Sequence, residues 1–216
     1  MTARVEDAIK ELQAGRFVVI LDDPDRENEG DLAISAEKVT ARELLFLIKA
    51  AAGFLCISLS ASRLDELQIP LMPRTFQDSD TPFCETLDYK CDSSASGSSV
   101  HDRARTIRAL LDPQSKPQDF ARPGHIVPLR ARRGGLLERR GHTEAIVDLC
   151  GAAGLYPAGL LCEILDDDGH VARGRVLEAF ARTYGFPIVS VWDVVEHLKR
   201  SREAVQQAVV SKRSYR

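Results

Sequence analysis

Hydrophobic positions along this chain follow two periods, one typical of helices and one typical of strands. Apolar residues from Val5 to Leu12 recur at helical spacing, and Gly15 ends that pattern. The β-branched run at 17–21 follows at once and predicts a buried strand. A dense group of acidic residues therefore comes directly after a strand.

The same alternation continues to the end of the chain. Thr40 and Glu43 have the spacing of a capping box, which predicts a helix to about Ala52. Further helices are predicted over 102–111, 143–154, 176–184 and at the C-terminal end, and further strands over 54–59, 126–129, 159–165 and 187–191. No segment of about 20–50 residues repeats. We predict an α/β or α+β fold, a single-domain layered sandwich over residues 1–216 with a mixed sheet flanked by helices.

The periodicity fails between about Pro70 and Ser99. Residues 73–82 are rich in turn formers, so we predict an irregular loop region around 70–100. Loops of such length in compact domains are usually functional or mobile. The serine-rich segment 92–99 is by composition alone typical of a flexible linker, and both interpretations stay open from the residues.

Composition narrows the class of protein. Of the 216 residues, 44% are hydrophobic and 28% are charged, which is ordinary for a globular domain and argues against disorder. The net charge of −3 argues against a general nucleic-acid binder, and no apolar run approaches the roughly 18–20 residues of a membrane span. The five cysteines are odd in number and form no CxxC pair, which favours free thiols. We expect a cytoplasmic protein with no nucleic-acid or membrane partner.

Six carboxylates lie within the ten residues 22–31, directly after the first predicted strand. Such crowding is strongly repulsive unless a cation or solvent screens it. A divalent cation with oxygen ligands, Mg²⁺ or Mn²⁺, would neutralise the cluster, whereas a solvated acidic turn needs no ion. The residues by themselves leave both interpretations open.

The segment 139–143 is basic and immediately precedes a predicted helix. Its backbone N–H groups, arginines and Thr143 hydroxyl could converge on a phosphate, and His142 could bind a metal or transfer protons. The alternative is a basic loop with a capping threonine. A phosphate loop and a metal loop on one chain suit a phosphorylated polyol, which offers an anion and vicinal hydroxyls.

Three further residues are candidates by their placement. His125 lies in a Pro-Gly turn, where a structural role is the alternative to a chemical one. Glu163 is an acid inside an apolar predicted strand, where burial would raise its pKa toward the range of acid/base catalysis. Cys56 lies in another apolar strand and is more typical of a small buried hydrophobe than of a nucleophile.

The segment 22–31, with its Asp-Arg-Glu-Asn-Glu-Gly-Asp core, resembles the signature of the 3,4-dihydroxy-2-butanone 4-phosphate synthase family. The resemblance continues, in the family's order, through 112–117, 122–125, 140–145 and 158–163, so it covers nearly the whole chain. Two segments depart from the family. Residues 95–99 read Ala-Ser-Gly-Ser-Ser where the family usually has Thr-Thr-Gly-Ile-Ser, and 80–85 also differ.

The resemblance implies a lyase of riboflavin biosynthesis that converts D-ribulose 5-phosphate to 3,4-dihydroxy-2-butanone 4-phosphate and formate. It also implies Mg²⁺ or Mn²⁺, two ions per active site, and a homodimer with active sites at the interface. By motif position, the metal ligands would be Glu27 and His142, and the residues essential for catalysis would be His125 and Glu163. The substrate-binding residues would be Arg26, Glu27, Asp31, Arg139, Arg140, Gly141, His142, Thr143 and Glu163.

The altered segment between 75 and 99 motivates two alternatives to this lyase. One is a paralogue that acts on a different sugar phosphate in a secondary pathway. The other is a non-catalytic sugar-phosphate-binding protein. An assay for formate release separates the three.

Overall fold

A computed structural model of the chain describes residues 2–23, 26, 28–73, 81–90 and 96–213, with the side chains of 205 and 208–213 excepted. The helices are α1 (Val5–Gln13), α2 (Ala41–Ala50), α3 (Ala61–Glu66), α4 (Val100–Leu111), α5 (His142–Ala152), α6 (Gly174–Tyr184) and α7 (Val191–Arg213). The strands are β1 (Val18–Leu21), β2 (Gly30–Ser35), β3 (Cys56–Ser60), β4 (Leu87–Tyr89), β5 (Phe120–Ile126), β6 (Pro128–Ala131), β7 (Ala158–Glu163) and β8 (Ile188–Ser190).

Six of these strands form one mixed sheet in the order β6-β3-β7-β2-β1-β8. The pairs β3–β6 and β1–β8 are parallel, and the three pairs between them are antiparallel. Strands β4 and β5 pair separately as a small antiparallel sheet beside α4. The predicted fold class, a mixed sheet flanked by helices, is confirmed.

Helices cover both faces of the large sheet. Side chains alternate along a strand, so Val18 and Ile20 of β1 face the core layer with α1, α5 and α7, whereas Val19 faces the opposite layer with α2, α4 and α6. A sheet that is buried on both sides needs apolar residues at nearly every position. This explains why the central strands appear in the sequence as continuous apolar runs.

Several predicted boundaries were wrong for identifiable reasons. The single strand expected at 126–129 is two strands, because β5 ends at Ile126 and β6 begins at Pro128, on the edge of the sheet, where a residue without an N–H is tolerated. Helix α4 begins two residues before the predicted start, since the Ser99 hydroxyl accepts a hydrogen bond from the Asp102 N–H and caps it. The short elements α3 and β4 were not predicted, nor was β2.

The predicted loop region around 70–100 is only partly described. Its described parts contain β4 and two isolated bridges, Leu71 with Cys84 and Phe83 with Leu129. Residues 74–80 and 91–95 lie outside the described residues, including residues 80 and 95 of the two segments that depart from the family. Its role in the active site stays a prediction.

Helix α5 approaches the sheet closely at Gly159 of β7. A Cβ atom at Gly159 would lie 2.1 Å from Ile146 Cγ1 and 3.0 Å from the Ile34 carbonyl oxygen. The close contact sets the height of α5 above the sheet, and the first turn of α5 contains His142 and Thr143.

We expect Gly159→Ala to lower the free energy of unfolding by about 1–3 kcal/mol, because the added methyl overpacks this contact. Urea unfolding measures the change. In an Ile146→Ala background most of the cost should disappear. The matched control is Gly151→Ala in the same helix, where an added Cβ meets nothing within 4 Å and stability should stay equal or rise. Equal effects at the two glycines would contradict the packing argument.

Candidate active site

A pocket opens where the ends of β2 and β7 meet the first turn of α5. The facing carboxylates Asp31 and Glu163 are directly paired across these two strands. The described residues that line the pocket are Arg26, Glu29, Asp31, Phe54, Cys56, Thr81, Phe83, Leu129, Arg139, His142, Thr143, Leu161 and Glu163. Six of the predicted site residues, Arg26, Asp31, Arg139, His142, Thr143 and Glu163, are thus brought together by elements far apart in sequence.

The segment 52–54 holds the Glu163 carboxylate in place. The Phe54 backbone N–H donates a 2.6 Å hydrogen bond to Glu163 Oε2. Gly53 is required here, because a Cβ at that position would lie 2.2 Å from the Glu163 carbonyl oxygen. Ala52, with φ of 62°, adopts the left-handed conformation that turns the chain toward β7. The sequence alone gave no sign of this support.

His142 is the first residue of α5 and is buried, with 8% of its surface exposed. Its Nδ1 atom lies 3.8 Å from Asp31 Oδ2. Its Nε2 atom is buried and has no hydrogen-bond partner among the described residues. Buried ring nitrogens are normally satisfied, so an orphaned Nε2 on a ring whose Nδ1 lies near a carboxylate fits a metal ligand.

The other predicted metal ligand, Glu27, lies outside the described residues. Among the residues that the structure does describe, no group of three or more His, Cys, Asp or Glu side chains could hold a metal ion by itself. Whether the described residues suit a divalent cation therefore depends on His142. Its buried, unpartnered Nε2 atom is compatible with such an ion in this pocket.

Two described acidic residues of the 22–31 cluster, Asp22 and Glu29, pair with arginines. Arg26 donates to Asp22 Oδ2 at 2.7 Å, and Arg173 pairs with Glu29. The cluster forms the connection between β1 and β2, with Asp31 placed in β2 itself. Part of its charge is thus balanced within the protein, which neither of the two sequence interpretations anticipated.

The segment 139–143 leads into α5 and contains its first two residues. Its N-cap residue is Gly141, which has no side chain to cap the helix, so the first N–H groups are available for an anion. The buried Arg139 side chain lines the pocket and donates to Glu144 Oε2 at 2.7 Å. A Cβ at Gly141 would lie 2.4 Å from Arg139 Nη1, so glycine lets this guanidinium lie directly against the N-cap. Together these groups can bind a phosphate.

Arg140 differs from its neighbours, because its side chain is exposed and lies away from the pocket. Its guanidinium carbon is 5.0 Å from the centre of the Trp192 ring. The structure therefore does not bring the Arg140 side chain together with the other predicted substrate-binding residues. Its predicted role as a substrate ligand stays a prediction.

The Cys56 thiol lines the pocket but is poorly suited to act as a nucleophile. Burial raises its pKa far above the ordinary range, and the negative charges of Glu163 and Asp31 raise it further. A thiolate is the reactive form, and a neutral thiol is a weak nucleophile. Cys56 therefore fits the small buried hydrophobe that the sequence favoured.

His125 is not among the described residues that line the pocket. Its Nδ1 atom lies 2.7 Å from Asp88 Oδ2, and its backbone N–H donates to Asp88 Oδ1 at 2.9 Å. The side chain is 42% exposed. Gly97 packs against this pair, since a Cβ there would lie 2.2 Å from Asp88 Oδ2. A histidine held by a carboxylate is oriented for proton transfer, and Asp88 was missed because only the pairing of β4 with β5 reveals it.

Comparisons with known proteins show the family of this chain. A family model described as 3,4-dihydroxy-2-butanone 4-phosphate synthase matches residues 6–197. The 3,4-dihydroxy-2-butanone 4-phosphate synthase of Agrobacterium fabrum is 45% identical over 210 residues, covering 96% of this chain and 98% of the relative. The riboflavin biosynthesis protein RibBA of Aquifex aeolicus is 45% identical over 209 residues, covering 96% of this chain but 51% of the relative. The chain thus spans about half the length of this RibBA relative.

A solved structure of the same family has the same fold as this chain. A 3,4-dihydroxy-2-butanone 4-phosphate synthase in complex with two magnesium ions superposes with a TM-score of 0.86 at 38% identity, covering 93% of this chain and 98% of that one. The family that the motifs indicated is confirmed. This chain belongs to the 3,4-dihydroxy-2-butanone 4-phosphate synthase family, whose curated relatives are proteins of riboflavin biosynthesis.

Proposed function

We propose that this chain is a lyase that converts D-ribulose 5-phosphate to 3,4-dihydroxy-2-butanone 4-phosphate and formate. The observation that carries the proposal is the meeting of three groups in one pocket. These are the paired carboxylates Asp31 and Glu163, the buried and unpartnered Nε2 atom of His142, and the uncapped end of α5. A phosphorylated ketose needs such a combination of anion site and acid/base groups.

The phosphate end of the substrate would lie at the start of α5. There the helix N-terminus and the Thr143 hydroxyl offer hydrogen bonds, and Arg139 offers positive charge. Arg139 is also paired with Glu144, which fixes the direction of its guanidinium before the ligand arrives. A site that is organised in advance loses less entropy on binding.

The carbon skeleton would lie between Asp31, Glu163 and the apolar wall of the pocket. Glu163 is held by the Phe54 N–H at one oxygen and can move a proton at its other oxygen. The reaction needs several proton transfers, and Asp31 lies on the adjacent strand to share them. Phe54, Phe83 and Leu129 give the pocket an apolar wall on one side.

We propose that Mg²⁺, or Mn²⁺ in its place, is held by His142 and Glu27, with two ions per active site. A divalent cation would polarise the carbonyl and hydroxyl oxygens of the sugar and so acidify the adjacent C–H. The support is the orphaned Nε2 atom of His142 and the related structure with two magnesium ions. Arg26 and Asp31 would then face the sugar.

A homodimer with active sites at the interface is also proposed. The exposed His125 and its partner Asp88 are not among the described residues that line the pocket of their own chain. A second subunit could bring this pair to the substrate. Sedimentation equilibrium measures the assembly directly, and a monomer at assay concentration would contradict the proposal.

The cytoplasmic location stays a prediction. The four cysteines among the described residues, Cys56, Cys84, Cys150 and Cys162, are free and buried, which suits a reducing compartment. Within the described part of the chain, no helix has the length and apolar character of a membrane span.

The activity is tested with purified protein, Mg²⁺ and a panel of D-ribulose 5-phosphate, D-xylulose 5-phosphate and D-ribose 5-phosphate. Formate is measured enzymatically and the four-carbon product by NMR. We expect equimolar formate and product from ribulose 5-phosphate alone. Formate from another sugar phosphate would favour the paralogue, and tight binding without formate would favour a non-catalytic binding protein.

A further inference from the structure

The chain's single tryptophan, Trp192, lies near the N-terminal end of α5. The Arg140 guanidinium lies over its ring. The Arg140 guanidinium carbon is 5.0 Å from the ring centre and the Lys199 ammonium is 5.8 Å from it. Half of the Trp192 surface, 51%, is exposed. Cation–π contacts of this geometry are attractive, and most of all for tryptophan.

The ring is attached to a rigid part of the fold. Helix α7 begins at Val191, and the Ser190 hydroxyl accepts a hydrogen bond from the Asp193 N–H at 3.0 Å in the manner of an N-cap. Val191, Val194 and Val195 are each at most 2% exposed and fix this turn against the sheet. Trp192 therefore presents a fixed surface to Arg140.

The guanidinium that rests on this surface belongs to the segment that forms the phosphate end of the pocket. Arg140 directly follows Arg139, which lines the pocket, and directly precedes Gly141, the N-cap of α5. The Arg139 guanidinium occupies the space that a Cβ atom at Gly141 would need. Because Arg140 lies between Arg139 and the N-cap of α5 in the chain, holding Arg140 restrains the backbone on both sides of it.

We propose that Trp192 is a positioning residue, which anchors the 139–143 segment through Arg140 and so aligns Arg139 and Thr143 with the substrate phosphate. Arg140 acts as the anchor and makes no contact with the phosphate. The inference rests on the proposed phosphate site but not on the reaction that follows binding. An aligned segment stabilises ground state and transition state alike, so its loss raises KM and leaves kcat nearly unchanged.

The test compares Trp192→Leu, Arg140→Gln and the double variant for formate release from ribulose 5-phosphate. We expect each single variant to raise KM about threefold to tenfold. Because both remove the same contact, the double variant should be no worse than either single one. Trp192→Phe keeps an aromatic face and should restore most of the lost affinity. Lys199→Gln, which removes a cation outside the 139–143 segment, is the matched control and should leave KM unchanged.

A direct phosphate contact by Arg140 predicts a different pattern. Arg140→Gln would then raise KM while Trp192→Leu would not, or the two effects would multiply in the double variant. Either result overturns the proposal.

Binding of inorganic phosphate gives a readout that needs no turnover. We expect phosphate to change the tryptophan emission of the wild-type protein, and Arg140→Gln to abolish that change while weakening phosphate binding in calorimetry. Unchanged phosphate affinity in both single variants overturns the proposal. If the wild-type protein released no formate yet showed this coupled phosphate binding, the proposed reaction would fail and the anchoring role would stand.

Discussion

Replacing Glu163 by glutamine is expected to reduce turnover of ribulose 5-phosphate by roughly a thousandfold, the usual contribution of a positioned acid/base group. Glutamine has nearly the same shape, and its amide oxygen can still accept the hydrogen bond from the Phe54 N–H. It cannot accept a proton at neutral pH. The loss should therefore appear in kcat, while the affinity for the substrate changes little.

The measurement is formate release under saturating substrate, with a matched change at an exposed position as control. Glu203→Gln alters the same functional group on the exposed part of α7 and should have no effect. Circular dichroism checks that both variants fold. Wild-type turnover by Glu163→Gln would remove Glu163 from the chemistry and leave it as a structural acid at the end of β7.

Replacing His142 by asparagine is expected to weaken Mg²⁺ binding by about 100-fold or more, since even loss of an outer partner of a ligand costs roughly 10-fold to 100-fold. The asparagine side chain is too short to place an atom where the orphaned Nε2 lies. Activity at low Mg²⁺ should be lost and should return in part at high Mg²⁺.

Calorimetry with Mg²⁺ and an activity titration measure the two effects independently. The control is His170→Asn, because the His170 side chain is 80% exposed in the turn after β7. A magnesium titration of His142→Asn that matches the wild-type curve would show that the metal, if one is needed, has other ligands.

The parts of the fold that depend on neighbouring residues were predictable from the sequence. The capping box of Thr40 and Glu43 is present as expected, since both partners lie within one turn of α2. Strand β1 and the start of α5 also follow from local pattern. Strand β2 did not, because Asp31 ends an acidic run and only pairing with β1 and β7 shows that the strand already includes it.

The site was predictable in its residue types but not in its contacts. Motif resemblance indicated Asp31 and Glu163, yet their direct pairing requires the register between β2 and β7. The Phe54 N–H that holds Glu163 cannot be recognised in the sequence, because every residue except proline has the same backbone N–H group. Motif position grouped Arg140 with the phosphate ligands, and its contact with Trp192, far along the chain, could not be read from the sequence.

The most direct test of the central claim is a crystal structure of the Glu163→Gln variant with Mg²⁺ and D-ribulose 5-phosphate. The account predicts electron density for the sugar in the pocket between β2, β7 and α5. The phosphate should lie at the first turn of α5 near Thr143, and the ion should contact His142. Sugar density at another site, with this pocket filled only by water, would contradict it.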